Sequence, residues 1–142
     1  MTWIKDLSAY VKPFDGEPLV LAIGWLSGSK PYPKGQLDHR VYDKLTELLA
    51  VPWELGPHFL GFHTCDLCNE PDRRSVRNLY VPGGEVLYVC PELILHYMAD
   101  HEYAPPVQFC NAVLVCPLLG SESNLEAVEP ICRRAHLLSW LK

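Results

Sequence analysis

An α+β fold, with a small, mainly antiparallel sheet and helices packed on it, is predicted by three features of this chain. Apolar residues recur at helical spacing in separate stretches, over 38–50, 93–98, 107–114 and 125–141. Between them lie short runs rich in β-branched and aromatic residues, two of which flank the reversal Pro82-Gly83-Gly84. Two pairs of metal-seeking side chains, Cys65 with Cys68 and His96 with His101, bracket that reversal. At 142 residues and 49% hydrophobic, residues 1–142 can bury one core but hardly two, so a single domain is expected.

Trp3, Ile4, Leu7, Tyr10 and Val11 follow helical spacing behind a candidate cap at Thr2, and Pro13 closes the run. A short helix packed on the body is expected there. Residues 18–26, PLVLAIGWL, are nearly all apolar and predict a central strand buried on both faces. Residues 27–35 are dense in turn formers and read as a connector; the alternative is a loop that a rigid strand presents for function. Neither G-x-x-x-x-G-K-[ST] nor G-x-G-x-x-G occurs, so no phosphate cradle is indicated. Asp38 caps a helix running through Ala50, with Val41, Leu45, Leu48 and Leu49 inside and His39, Arg40, Asp43, Lys44 and Glu47 outside.

Residues 51–53 break that helix, and 57–62 read as a strand leading to Cys65, with Trp53 and His58 packing or facing solvent nearby. Residues 77–81 and 85–89 form a hairpin through the two glycines. Pro91 is expected as the first position of the next helix, whose apolar side is Leu93, Ile94, Tyr97 and Met98. Pro105 or Pro106 opens another, with Val107, Cys110, Val113 and Leu114 on one side and Pro117 closing it. Ser123 with Glu126 is a capping-box signature for a last helix carrying Leu125 and Val128. Pro130 kinks that helix or opens a fresh one through Cys132, Ala135, Leu138 and Leu141.

The chemistry lies in C-x-x-C followed by H-x4-H, with residues 69–95, 27 in all, between them. Thiolate and imidazole are zinc's preferred ligands, and a C-x-x-C turn lets two sulfurs meet one ion. His101 lies about 140° round an ideal helix from His96, so the pair can share an ion only if the helix tightens or ends near 99–100. Four protein ligands, Cys65, Cys68, His96 and His101, would close the shell and make the zinc structural, stapling a subregion of about 58–109. If 60–65 is extended, His63 faces the same way as Cys65 and is the alternative to His101, although a supporting or core position suits it better. A redox C-x-x-C should open a helix, whereas 69–72, Asn-Glu-Pro-Asp, reads as a turn.

A zinc enzyme with three ligands and a bound water is the other reading, with Glu92, Asp100 or Glu102 as general base. Neither H-E-x-x-H nor the H-x-E…P-C-x-x-C of zinc deaminases is present, so no catalytic residue is assigned. Cys90, ahead of the expected helix, is the best-placed nucleophile. It reads more simply, with Cys110, Cys116 and Cys132, as a small packed apolar residue.

The net charge of −5 weighs against nucleic acid. Arg73, Arg74 and Arg77 are the only basic cluster besides Arg133-Arg134 and read as a solvated loop. No apolar run is long enough for a membrane span, and the start lacks the basic-then-apolar layout of a signal peptide. A cytoplasmic protein with reduced cysteines is therefore expected, its partner a protein or small ligand. Tyr32, Trp53, Tyr97 and Tyr103 belong either to an interface or to the core.

The runs GFHTCDLC, LYVCPELILHYMADHEYAPPVQF and IGWLSGSKPYPKGQLD resemble a family of small bacterial proteins with no assigned function, over roughly residues 24–116. The order of cysteine knuckle, hairpin and ligand-bearing helix is also similar to treble-clef and two-Cys-two-His zinc modules. The 27 residues of 69–95 are a longer gap than short nucleic-acid-binding fingers have. The resemblance implies a ligand pattern and no activity.

Overall fold

Alternation of large apolar residues over 78–91 builds the centre of the fold. The computed structural model describes residues 3–56, 63–68 and 73–141. β4 (Asn78–Gly83) and β5 (Val86–Pro91) form an antiparallel hairpin that reverses at Gly84, whose φ of 79° is open to glycine without steric cost. β1 (Val20–Ala22) pairs with β5 in parallel, giving the order β1-β5-β4. Successive side chains then go to opposite faces. Ile23, Leu79, Val81, Tyr88 and Cys90 enter one core with α1 (His39–Leu49), α2 (Ile94–Asp100) and α3 (Val107–Leu114). Val20, Ala22, Tyr80, Leu87 and Val89 enter a second core with α4 (Glu122–Arg134) and a 3-10 turn, Leu138–Leu141. The architecture is α+β, with the sheet buried on both sides.

α1 forms as its sequence dictates. The Asp38 carboxylate accepts from the Arg40 and Val41 amides, and Val41, Leu45, Leu48 and Leu49 are buried. At the other end Arg77 donates to the carbonyls of Leu49, Val51 and Trp53, so this arginine is a half-buried clamp on the helix C-terminus rather than part of a solvated loop.

Other expectations are corrected. Residues 3–11 are not helical but run beside β1, with Ile4 bridged to Trp25 and Ala9 to Leu21. The Leu7 and Tyr10 amides donate to the carbonyls of Ala22 and Val20, satisfying an edge of β1 that would otherwise be buried unpaired. Thr2 lies outside the described residues. β1 is shorter than 18–26 and flanks β5 instead of being central, because the chain leaves extended geometry at Gly24, φ 75°. Pro91 ends β5 opposite Asn78 instead of opening α2. The next two amides, of Glu92 and Leu93, are still bonded to Arg77 O and Ser75 Oγ, which delays the helix to Ile94.

α3 buries Phe109, Ala112 and Val113 and leaves Val107 exposed, since Phe109, packed edge-on to Tyr88, takes the core position. The cap of α4 is Ser121, not Ser123. Its Oγ accepts from the Asn124 amide while Asn124 Oδ1 accepts from the Gly120 amide. Pro130 sits inside one continuous helix on its exposed side, and Leu125 and Leu138 face outward. The strand expected over 57–62, His58 and the turn at 69–72 lie outside the described residues.

Two measurements check this description. Ser121→Ala should lower unfolding free energy by about 1 kcal/mol, while Ser123→Ala should stay within about 0.5 kcal/mol of the parent in denaturant titrations. Asp6 accepts from the Gly24 amide and the Tyr103 hydroxyl, and burial raises its carboxyl above the usual 3.8. The folded chain therefore holds that proton to higher pH than the unfolded chain, and this group's contribution to stability falls as pH rises just above 3.8. Asp6→Asn should remove that slope from the difference between parent and variant unfolding curves.

Candidate metal site

The site joins a knuckle to the end of a helix. β2 (His63–Thr64) pairs antiparallel with β3 (Arg74–Ser75), and the Cys65 amide continues the ribbon to Arg73 O. The next turn brings Cys65 Sγ and Cys68 Sγ to 3.7 Å. On the other side, α2 stops at Asp100, His101 leaves helical geometry at φ −125° and Glu102 turns left-handed at φ 58°. The helix thus ends where the H-x4-H spacing requires, and His96 Nε2 and His101 Nε2 lie 3.2 Å apart. Cys65 Sγ is 3.6 Å from His101 Nε2, and Cys68 Sγ is 3.6 Å from His96 Nε2. One ligand atom from each of the four residues falls within 4.8 Å of all the others, close enough to bind one metal ion.

The four residues differ in burial and in polar support. Cys65 is buried, as is the ring of His96, while Cys68 and His101 are half-buried. Burial, reinforced by the neighbouring Cys68, pushes the Cys65 thiol up to about 11. Burial and the adjacent His96 push the His101 imidazole down. Two thiols and two imidazoles therefore converge in a partly buried space, a donor set that suits a metal ion. His96 Nδ1 lies 2.8 Å from Asp100 Oδ2, a contact that aims Nε2 at the centre of the cluster.

His63 stands behind this site and outside it. Its Nε2 is 2.7 Å from the Tyr97 hydroxyl, and its ring packs edge-on to Trp25, with centroids 5.0 Å apart. Burial lowers its pKa to about 4, keeping the ring neutral. Asp100 is committed to His96, whereas Glu92 lines a cleft with Arg73 and Arg74, and Glu102 lines another on the far side of α2. None of these carboxylates is in the cluster. Cys90 is wholly buried within β5, with its thiol pushed up by desolvation, and burial takes Cys116 and Cys132 to about 11. These are packing residues. Tyr97 and Tyr103 are core, while Tyr32 and Trp53 are half-buried.

Residues not anticipated as part of the site surround it. Asp66 accepts from the Gly28 amide, and Tyr32 donates to the carbonyl of His101. Their partners are 38 and 69 residues away in the chain, beyond any local motif. The turn-rich loop 27–35 was the one available signal.

Fold and site together define an α+β domain with a two-Cys, two-His cluster in metal-binding geometry. The chain belongs to the family described as domain of unknown function DUF7919, which matches residues 2–114. No curated protein and no solved structure matches it. The family match contains all four cluster residues and ends with α3, so α4 lies beyond it. Among the described residues, no helix is long and apolar enough to cross a membrane.

His63→Phe should cost about 1–3 kcal/mol by leaving the buried Tyr97 hydroxyl unpaired, yet retain the parent's metal content. His101→Ala should lose metal. Elemental analysis paired with thermal melting of both variants tests the separation of core histidine from ligand.

Proposed function

We propose that this domain is stapled by a structural zinc ion at Cys65, Cys68, His96 and His101, and that it works by binding a protein or small ligand. One observation carries the zinc reading. Zinc bonds of about 2.3 Å to sulfur and about 2.0–2.1 Å to nitrogen imply tetrahedron edges of about 3.8 Å (S to S), 3.6 Å (S to N) and 3.3 Å (N to N). Four of the six separations here match, at 3.7 Å (S to S), 3.6 Å (two S to N) and 3.2 Å (N to N), and the other two sulfur–nitrogen pairs lie within 4.8 Å. Four protein ligands would fill a tetrahedral shell without a water, which favours a structural over a catalytic ion. The redox alternative is disfavoured because Cys65 opens no helix.

The binding role is supported by two clefts beside α2, of about 240 and about 460 Å3, which share Gln36 and Met98. Their sizes lie around the lower range of small-ligand sites. The charge of −5 weighs against nucleic acid as the partner. All six cysteines are unpaired, which suits a reducing compartment such as the cytoplasm.

X-ray absorption on protein purified without added metal should give two sulfur and two nitrogen neighbours around one zinc per chain. Chelation, Cys65→Ser or His96→Ala should each lower the melting temperature sharply, since structural zinc contributes about 10–16 kcal/mol in isolated finger peptides. A light-atom water in the shell would turn the reading toward an enzyme. Metal-free protein with unchanged melting would end it.

A further inference from the structure

We infer that the loop of residues 27–35 is a working part of the metal site, and that Asp66 and Tyr32 are positioning residues that hold the ion in place without ligating it. The inference rests on the zinc reading above. The two ligand pairs come from segments far apart in the chain, and this loop is bonded to both. On the cysteine side, the Gly28 amide donates to Asp66 Oδ1 at 2.6 Å. Asp66 comes directly after the first thiol, so this bond fixes the turn that carries both sulfurs. On the histidine side, the Tyr32 hydroxyl donates to the His101 carbonyl at 2.9 Å. The Gly35 amide donates to Glu102 O, the Ala104 amide donates to Pro33 O, and Lys34 bridges Tyr103.

These bonds fall where each ligand segment is otherwise least secured. Among the described residues the β2–β3 ribbon has two ladder pairs, both before Cys65, followed by the bond from the Cys65 amide to Arg73 O. His101 is already outside the helix, with its own amide still bonded to Tyr97 O, and Tyr32 supplies the hold on its carbonyl. Contact at Gly28 is close: a Cβ there would meet the Asp66 backbone oxygen at 2.9 Å, so glycine is required for the loop to reach the knuckle. Release of zinc needs one ligand pair to swing away, and either swing breaks bonds to the loop. By the same linkage, a bound ion keeps the loop ordered.

The test uses the full chain loaded with zinc. Transfer of zinc to a chromophoric chelator should be on the order of ten-fold faster in Asp66→Ala and Tyr32→Phe, the size seen when groups supporting ligands are removed. Asp66→Asn, whose amide oxygen still accepts from Gly28, should release at close to the parent rate. The visible spectrum of cobalt in the site should be unchanged in all three variants, because the ligand set is intact. Removing the metal from the parent should speed hydrogen exchange in 27–35, a readout that stands even where a variant fails to fold. Parent release rates in Asp66→Ala and Tyr32→Phe, with loop exchange indifferent to metal, would overturn the inference and leave the zinc centre standing. A changed cobalt spectrum would overturn the positioning role by making Asp66 or Tyr32 part of the shell. Failure of the parent chain to take up zinc would overturn both readings.

Discussion

Two sulfurs and two imidazole nitrogens drawn within 4.8 Å of one another, four of the six pairs at 3.2–3.7 Å, impose the constraint on which the surrounding structure depends. Such a convergence of two thiols and two imidazoles suits a cation they could share. The backbone is arranged to enforce it. α2 has to stop at Asp100, and Glu102 has to take a left-handed conformation that costs a non-glycine residue energy. The Tyr103 amide turns back to the Tyr97 carbonyl, the same one that accepts from His101. A helix end of this kind is specified by tertiary contacts and backbone bonds, not by a capping side chain.

The hairpin gives the two ligand pairs their separation. β4 and β5 lie within the 27 residues between Cys68 and His96, and both faces of the pair are buried. Once Tyr88 and Cys90 are committed to one core and Leu87 and Val89 to the other, the register cannot slip by a residue without exchanging the two sets. That register fixes where Pro91 ends the strand and hence where α2 starts. His96 therefore reaches the knuckle because of pleat alternation well upstream of it.

Much of this was legible in the chain because it is local or has a fixed spacing. The Cys and His pairs that come together, the Asp38-capped helix, the glycine reversal and the helix ending near 99–100 each depend on residues a few positions apart. The failures share a cause as well. Trp3, Ile4, Leu7 and Tyr10 have helical spacing, but their backbone groups serve an edge of β1, and tertiary hydrogen bonding overrides the periodicity. Ser123 matched a capping box, yet the reciprocal bonds of Ser121, Asn124 and Gly120 set the helix start two residues earlier. His63 is not among these failures: a supporting or core position suits it better than ligation, and it meets the Tyr97 hydroxyl. The loop's bonds to Asp66 and His101 join residues that no window along the chain compares.

The knuckle also shows why an ion would be needed where the rest of the domain manages with apolar packing. Of residues 63–68, the large apolar core includes Cys65 as a buried member and Leu67 and Cys68 only at its margin. His63 is buried and tied to Tyr97 by one polar contact, and its Nδ1 has no partner among the described residues. Asp66 is exposed and held by its bond to Gly28. Area burial at about 25 cal/mol per Å2 gives so small a segment little to offset the entropy of ordering it. The sheet and α1, by contrast, are secured by side chains with no exposure at all, among them Leu45, Leu79 and Val89. If these four residues hold an ion, its loss would act first on the knuckle and the end of α2, the segments with least apolar packing of their own.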